Sequence, residues 1–239
     1  MNLQNTEITV YACVASTQDI ASERLLVGEN PNAIFAHDQT SGRGRLQRQW
    51  QSQKGDSLTM SVLLHAYVNH PQPWLIGMSS SIAIAELLDC QLQWPNDLVI
   101  NRKKVGGILT ELMPTRRGHK IPVVGIGINL NQNEFAPEIA HRATSIFRER
   151  NQKIEPLALA EQLMLALQSA PEPSSWADLQ DRWMQRDDTF GKNFQLTTGE
   201  FALATSIGPN GELEVHLNNE TKLVTAADGW AVEELLAAN

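Results

Sequence analysis

The run Gly42-Arg43-Gly44-Arg45-Leu46-Gln47-Arg48-Gln49-Trp50 places three arginines within six residues of one another. Arginine carries a planar, permanently charged fork that matches the oxygens of a phosphate or a carboxylate. Gly42 and Gly44 let backbone amides approach such an anion closely. Trp50 supplies either an anchor for the loop or a face for a flat group, and a solvated basic turn is the bland alternative. A second cluster is Gln93-Trp94-Pro95-Asn96-Asp97, followed by Lys104-Val105-Gly106-Gly107-Ile108-Leu109. Trp94-Pro95 forces an extended or turn backbone, and Asn96 and Asp97 offer short polar side chains at its exit. Paired glycines in an apolar run mark close approach by a ligand or another chain, although the same turn chemistry also builds an ordinary hairpin. The third feature is a buried strand, Val123 to Leu130, with polar Asn129 near its end. Its G-x-G has no glycine at 130 and is not a dinucleotide fingerprint. The six histidines show no zinc-ligand spacing. Walker A, nucleophile-elbow and kinase patterns are absent, so nucleophilic and metal-hydrolase chemistry have no support.

The elements that must hold these residues alternate between strand-like and helix-like. Ile8 to Cys13, Ala33 to His37, Leu58 to Leu64 and Pro122 to Ile128 read as strands. Ser16-Thr17-Gln18-Asp19 has the form of a capping box and opens a helix that Gly28 stops. Leu75, Met78, Ile82 and Ala85 fall on one helix face. Pro156 suits the first position of a helix that carries Leu159, Leu163 and Leu167, and Trp176, Leu179 and Trp183 line another. This is an α+β pattern, helices laid on a sheet. Beyond Phe190 the texture changes to five short strand-like runs: Phe194–Leu196, Glu200–Ile207, Glu212–Leu217, Lys222–Thr225 and Trp230–Leu235. Gly208-Pro209-Asn210-Gly211, Asn218-Asn219 and Asp228-Gly229 read as the turns between the later ones. Such a tail suits a small barrel. The expected division is 1–189 and 190–239.

Composition removes whole classes. With 239 residues, one or two domains are expected at ~150 residues each. A hydrophobic share of 42%, with 15 Gly and 11 Pro, excludes disordered, collagen-like and disulfide-scaffold chains. Met1 to Glu7 is no secretory signal, and Trp74 to Leu88 is too interrupted to span a membrane. Cys13 and Cys90 read as inert thiols of a reducing compartment, which makes a soluble cytoplasmic protein the expectation. The net charge of −8 argues against nucleic acid as the main partner.

In this order and spacing the motifs resemble those of the biotin protein ligases. That family carries a Ser-Thr-Asn helix start, a G-R-G-R-x-x-R-x-W loop, K-W-P-N-D, K-x-x-G-I-L and a G-I-N strand end. Their counterparts here are Ser16-Thr17-Gln18, Gly42 to Trp50, Gln93 to Asp97, Lys104 to Leu109, and Gly127-Ile128-Asn129. The resemblance implies a mixed sheet with flanking helices, of the class II aminoacyl-tRNA synthetase and biotinyl/lipoyl ligase kind, and a small C-terminal SH3-like β-barrel. It implies a reaction in two steps: biotin and ATP give biotinyl-5'-AMP and pyrophosphate, and a carrier-domain lysine, usually that of acetyl-CoA carboxylase, takes the biotinyl group. Arg43 and Arg45 would neutralise the phosphates, with Gly42 and Gly44 shaping the loop that orders over the ligand and shields the mixed anhydride. Ser16, Thr17 and Gln39 match positions that hydrogen-bond the ureido ring, with Gln18 beside them. Gly107, Ile108 and Leu109 would line the apolar slot, Trp50 would support the loop and the biotin side, and Asn129 would approach the adenylate. Asp97 would serve the carrier lysine or a metal-linked polar network. Mg²⁺ would arrive with ATP, with no protein metal cage. Only 15 residues precede Ser16, too few for the helix-turn-helix domain of some members. The expectation is therefore the ligase-only type without DNA as a partner. Homodimers through the catalytic sheet are common in the family.

The sequence departs from the family at three places. Gln93 stands where the family carries a lysine that would meet the biotin carboxylate and the α-phosphate. A charge pair at ~4 Å and an effective dielectric near 20 is worth about 4 kcal/mol. A glutamine there predicts slow adenylation unless another cation, Lys103 or Lys104, reaches the site. Gln18 replaces an asparagine, and the run Trp230 to Glu234 lacks a basic residue that some members place there. The alternative to an active ligase is therefore a weakened relative that holds biotin or its adenylate. A lipoate or octanoate transferase comes after it, because G-R-G-R and W-P-N-D belong to the biotin branch.

Overall fold

The apolar runs pair into two sheets. The computed structural model describes residues 7–196, 198–225 and 227–231. The chain begins β1 (Ile8–Tyr11), α1 (Thr17–Val27), β2 (Ala33–Ala36), the two-residue strands β3 (Gly42–Arg43) and β4 (Gln49–Trp50), and β5 (Ser57–Leu63). Next come α2 (Pro73–Leu88), β6 (Gln91–Gln93), β7 (Asp97–Ile100), β8 (Lys103–Pro114) and β9 (Lys120–Asn129). The helices α3 (Ile146–Arg150), α4 (Pro156–Ser169) and α5 (Ala177–Met184) lead into a second run of strands. These are β10 (Asn193–Leu196), β11 (Phe201–Ile207), β12 (Leu213–Leu217), β13 (Glu220–Val224) and β14 (Ala227–Ala231).

The first sheet has the order β1-β2-β5-β9-β8-β7-β6. Its β1–β2 pair is parallel and the others are antiparallel, which makes it mixed. Strand alternation sends neighbouring residues to opposite faces, and each face has its own cover. Ile34, Leu63, Ile121 and Val123 meet Ala21 and Leu25 of α1. Phe35, Met60, Val62, Val124, Ile126 and Ile128 lie in the larger core beneath α2 and α4. α2 packs on β6, β8 and β9 and also against α4 and α5, so even Ser79, Ser80 and Ser81 are buried. Pro156 opens α4 as expected, and Leu159, Leu163 and Leu167 are buried from it. No described helix is long and apolar enough to cross a membrane.

The second sheet is antiparallel, in the order β13-β12-β11-β10-β14. Asn218 and Asn219, at φ 51° and 65°, make the tight left-handed turn that joins β12 to β13. Its apolar residues Phe194, Ala204, Leu213 and Val215 belong to the same core as Leu92, Trp94 and Trp183.

Two local expectations differ. Ser16 holds the N-cap position of α1, but its side chain makes no capping bond. Asp228-Gly229 is not a turn and lies inside β14. There β10 claims the ladder: Gln195 pairs with Asp228 and Phe194 with Ala231, so the glycine sits where the register shifts. Of the last predicted strand, 232–235 lie outside the described residues, as do 1–6 of the start.

Leu163 is fully buried on α4. Leu163→Ala should lower unfolding stability by about 2–5 kcal/mol in urea denaturation.

Candidate functional site

Beside the α1 side of the first sheet, β8 and β9 lose their side chains. Gly125 and Gly127 follow Val123 on the face that α1 covers, and Gly127 pairs directly with Gly107 of β8. A Cβ at Gly125 would stand 3.1 Å from the Gln18 side-chain amide. At Gly127 it would run into the Trp50 indole and lie 2.7 Å from Nε1. The G-x-G of β9 is therefore a floor against which a glutamine and a tryptophan pack. A Cβ at Gly107 would stand 3.6 Å from the same indole.

At the α1 end, every amide is oriented by its neighbours. The Thr17 amide and hydroxyl both donate to Gln39 Oε1, at 2.7 and 3.1 Å, and Ser61 donates to the Thr17 hydroxyl at 2.8 Å. The Gln39 NH₂ is thus left as the donor, close to Gly42. Gln18 Nε2 donates to the Leu109 carbonyl and to Glu111 Oε2, both at 3.1 Å. Neither partner can donate, so Gln18 Oε1 faces away as an acceptor, and it is buried with no partner among the described residues. Trp50 Nε1 is a buried donor in the same condition. A ligand that both donates and accepts, as a cyclic urea does, would satisfy such a set.

Farther along lie the cations. Lys104 Nζ is 2.6 Å from Asp97 Oδ1 and 5.8 Å from the Trp50 ring centre. The bulged hairpin of β7 and β8 pairs Asp97 with Gly107 and lets Lys104 fold back toward that glycine. Arg45 stacks over Trp94 at 5.8 Å and donates to the Thr225 carbonyl at 3.1 Å. Burial pulls the Arg45 pKa down and the Asp97 carboxylate opposes this, while Arg48 pushes it lower. The charge gains stability from any anion that enters. Arg43, half-exposed, is held by Glu111 at 2.9 Å and Asp19 at 3.3 Å. Trp94 is anchored through its amide to Thr189 Oγ1 at 2.8 Å and through its indole to the Gly211 carbonyl at 3.1 Å, in the turn between β11 and β12.

At the far end of β9, Asn129 is buried and donates to the Thr144 carbonyl at 3.0 Å. The segment that follows returns past Lys104, whose backbone bonds those of Arg142 and Thr144. These surfaces enclose one cleft of about 500 Å³. Ser16, Thr17, Gln18, Gln39, Arg43, Gly44, Arg45, Trp50, Asp97, Gly107, Ile108, Leu109 and Asn129 all line it. Gly42 does not; it lies in an adjoining hollow, where its Cβ would meet the Trp50 carbonyl at 2.7 Å. Gln93 does not line the cleft either, and is only 2% exposed. The ammonium of the site comes from Lys104.

Sequence reasoning missed Glu111, Gln132 and the segment near Phe135 and Arg142. Glu111 could have been found by alternation, since it follows Gly107 and Leu109 at intervals of two. Gln132 and Arg142 left no such signal, because a loop brings them in.

Known proteins resemble this sequence and fold. The model of the biotin/lipoate A/B protein ligase family matches residues 10–129. The bifunctional ligase/repressor BirA of Bacillus subtilis is 28% identical over 92% of this chain and 72% of its own length. The biotin–[acetyl-CoA-carboxylase] ligase of Mycobacterium tuberculosis is 25% identical over 93% and 88%. The biotin protein ligase of Aquifex aeolicus, solved with biotin and ATP, superimposes with a TM-score of 0.73 at 26% identity, over 93% of this chain and 97% of that one.

Gly127→Ala should cost about 1–3 kcal/mol of stability from overpacking against Trp50. In a Trp50→Ala background the penalty should largely vanish. Equal penalties in both backgrounds, read by urea denaturation, would place the indole elsewhere.

Proposed function

The chain belongs to the biotin/lipoate A/B protein ligase family, and we propose that it is an ATP-dependent biotin protein ligase acting on the biotin carrier domain of a carboxylase. The observation that carries this reading is one cleft joining oriented amides at one end to Lys104 and Arg45 farther along. The first group suits the ureido ring of biotin. The second suits a carboxylate and an α-phosphate that must be brought together against their own repulsion.

In the first step a biotin carboxylate oxygen bonds to the α-phosphorus of ATP, and the bond to the pyrophosphate oxygen breaks. Lys104 and Arg45 offset charge where it accumulates, in a site whose walls strengthen each interaction. Arg43 joins them by exchanging Glu111 and Asp19 for phosphate. Mg²⁺, bound to the nucleotide as part of the substrate, would offset charge on the departing pyrophosphate. Gly107, Ile108 and Leu109 supply the apolar slot, and Trp50 roofs it. In the second step the carrier lysine amine attacks the biotinyl carbonyl and AMP departs with the electron pair of the broken bond. Asp97 stands in the cleft as an acceptor for the proton that the amine loses.

Gln93 is the ground for reading the chain as a weakened, ligand-holding relative. With Lys104 in the cleft that ground is gone, and an active ligase is the better reading. The carrier of acetyl-CoA carboxylase is the expected acceptor. We read residues 1–189 as the catalytic domain and 190–239 as a smaller domain docked beside it. A cytoplasmic location, a partner set without DNA, and a homodimer through the catalytic sheet complete the proposal; the net charge of −8 supports the second of these.

Incubation with biotin, MgATP and an apo carrier domain should add one biotinyl group to the carrier by mass spectrometry. Lys104→Met should slow biotinyl-AMP formation by about 10²–10³, whereas Gln93→Lys should leave it little changed. A Lys104→Met protein with undiminished rate would move the ammonium's role elsewhere.

A further inference from the structure

Two arginines of one loop are held in opposite ways. Arg45 is steadied by neutral groups, the Thr225 carbonyl and the Trp94 ring. Arg43 is instead held by two carboxylates on a single nitrogen: Nη2 lies 2.9 Å from Glu111 Oε2 and 3.3 Å from Asp19 Oδ1. Each carboxylate is placed by its own element. Glu111 extends from β8, and its Oε2 also accepts from Gln18 Nε2 at 3.1 Å. Asp19 follows Gln18 in the first turn of α1, where the helix dipole favours a negative charge. The seat for the guanidinium is therefore built into two elements, and it sets two negative charges against one positive.

That seat lies away from the other cations of the cleft. Glu111 follows Gly107 by four residues on β8, which places it roughly 13–14 Å along the strand. Lys104 Nζ belongs to the Gly107 end, where it would stand 3.4 Å from a Cβ on that glycine. Arg43 lines the cleft, whereas Glu111 lines the adjoining hollow and draws the guanidinium toward Gln18. A triphosphate whose α-phosphorus sits by Lys104 and Arg45 can gain Arg43 only when the guanidinium leaves both carboxylates. Binding that requires a minor state of the protein is weakened by the fraction of that state. This placement rests on the ligase reading above.

We propose that Asp19 and Glu111 are positioning residues that seat Arg43 apart from the reacting phosphate and thereby set the affinity of the cleft for ATP. The arginine exchanges one anionic partner for another, and binding gains only the difference between them. Both carboxylates are partly exposed, so water takes the place of the guanidinium when it leaves. Glu111 keeps its bond from Gln18 through the exchange, so the biotin-side amide stays in place while Arg43 moves.

The test is calorimetric binding of the Mg complex of α,β-methylene-ATP, whose α–β linkage does not break, with biotin present throughout. Asp19→Asn combined with Glu111→Gln keeps an oxygen at each position and removes both charges. It should tighten binding about three- to tenfold, because exposed ion pairs of this kind are each worth a factor of a few. In an Arg43→Gln background the same two substitutions should change affinity by less than about twofold, since no guanidinium is left to release. Equal tightening in both backgrounds would mean that the carboxylates act only as nearby negative charges, and would overturn the assignment. Weaker binding by the doubly neutralised chain would overturn it as well, by showing that the carboxylates hold Arg43 where it works. So would unchanged binding. Biotinylation of the carrier with ATP, assayed in parallel on the natural chain, separates the failures. A chain that modifies the carrier but fails the binding test sinks this inference alone, and one that neither binds the analogue nor modifies the carrier removes the ligase reading too.

Discussion

Two strands of the central sheet must stay bare at 107, 125 and 127, and much of the site follows from that. A side chain at 125 would displace Gln18, and one at 127 would strike the Trp50 ring. Because the floor is backbone, a glutamine from α1 and a tryptophan from the β3–β4 ribbon can lie within contact of the strand. Their polar atoms then point along the cleft instead of into solvent. The apolar face of the same strand, Val124, Ile126 and Ile128, keeps the sheet anchored to α2 and α4. Glycine in a strand weakens it locally, and here the antiparallel neighbours β5 and β8 on both sides of β9 compensate.

Orientation of amides is the second organising device. Gln39 is turned by Thr17, Gln18 by Glu111 and Leu109, and Gln132 by Asn129 and Ser57. In each case a group with a single hydrogen-bonding sense, acting directly or, for Gln132, through Asn129 from the Thr144 carbonyl, fixes an amide that could otherwise flip. The cleft therefore offers a defined series of donors and acceptors before any ligand arrives, and little must be reordered when one binds.

Charge in the cleft depends on both sheets. The chain as a whole is acidic, yet Arg45 and Lys104 are concentrated beside one carboxylate, Asp97. Arg45 is steadied by the Thr225 carbonyl and by Trp94, and Trp94 is steadied by Gly211 and Thr189. Among the described residues, the C-terminal strands thus serve the site through backbone carbonyls and without a charged side chain. Glu111 has a related task at the other end, where it holds the Gln18 amide and the Arg43 guanidinium with one oxygen.

The arginine-rich loop, the two glycine strands, the helix faces of α2 and α4 and the change to short strands after Phe190 were legible in the residues themselves. Each depends on local chemistry: charge density, missing Cβ atoms, apolar spacing and turn composition. Asp228-Gly229 misled, because a turn signal yields when a distant strand supplies ladder partners. The identity of the cleft's ammonium was likewise beyond local reading. Gln93 and Lys104 both belong to the same polar cluster around Asp97 in the sequence, but β6 buries the first away from the cleft while the bulged β7–β8 hairpin folds the second into it. Glu111 and Gln132 acquire their tasks in part from residues 93 and 75 positions away. Sequence alone determined which chemical groups this protein has and which elements carry them. Tertiary structure decided which of those groups share one cleft and which way each amide points, because both depend on contacts between segments far apart along the chain.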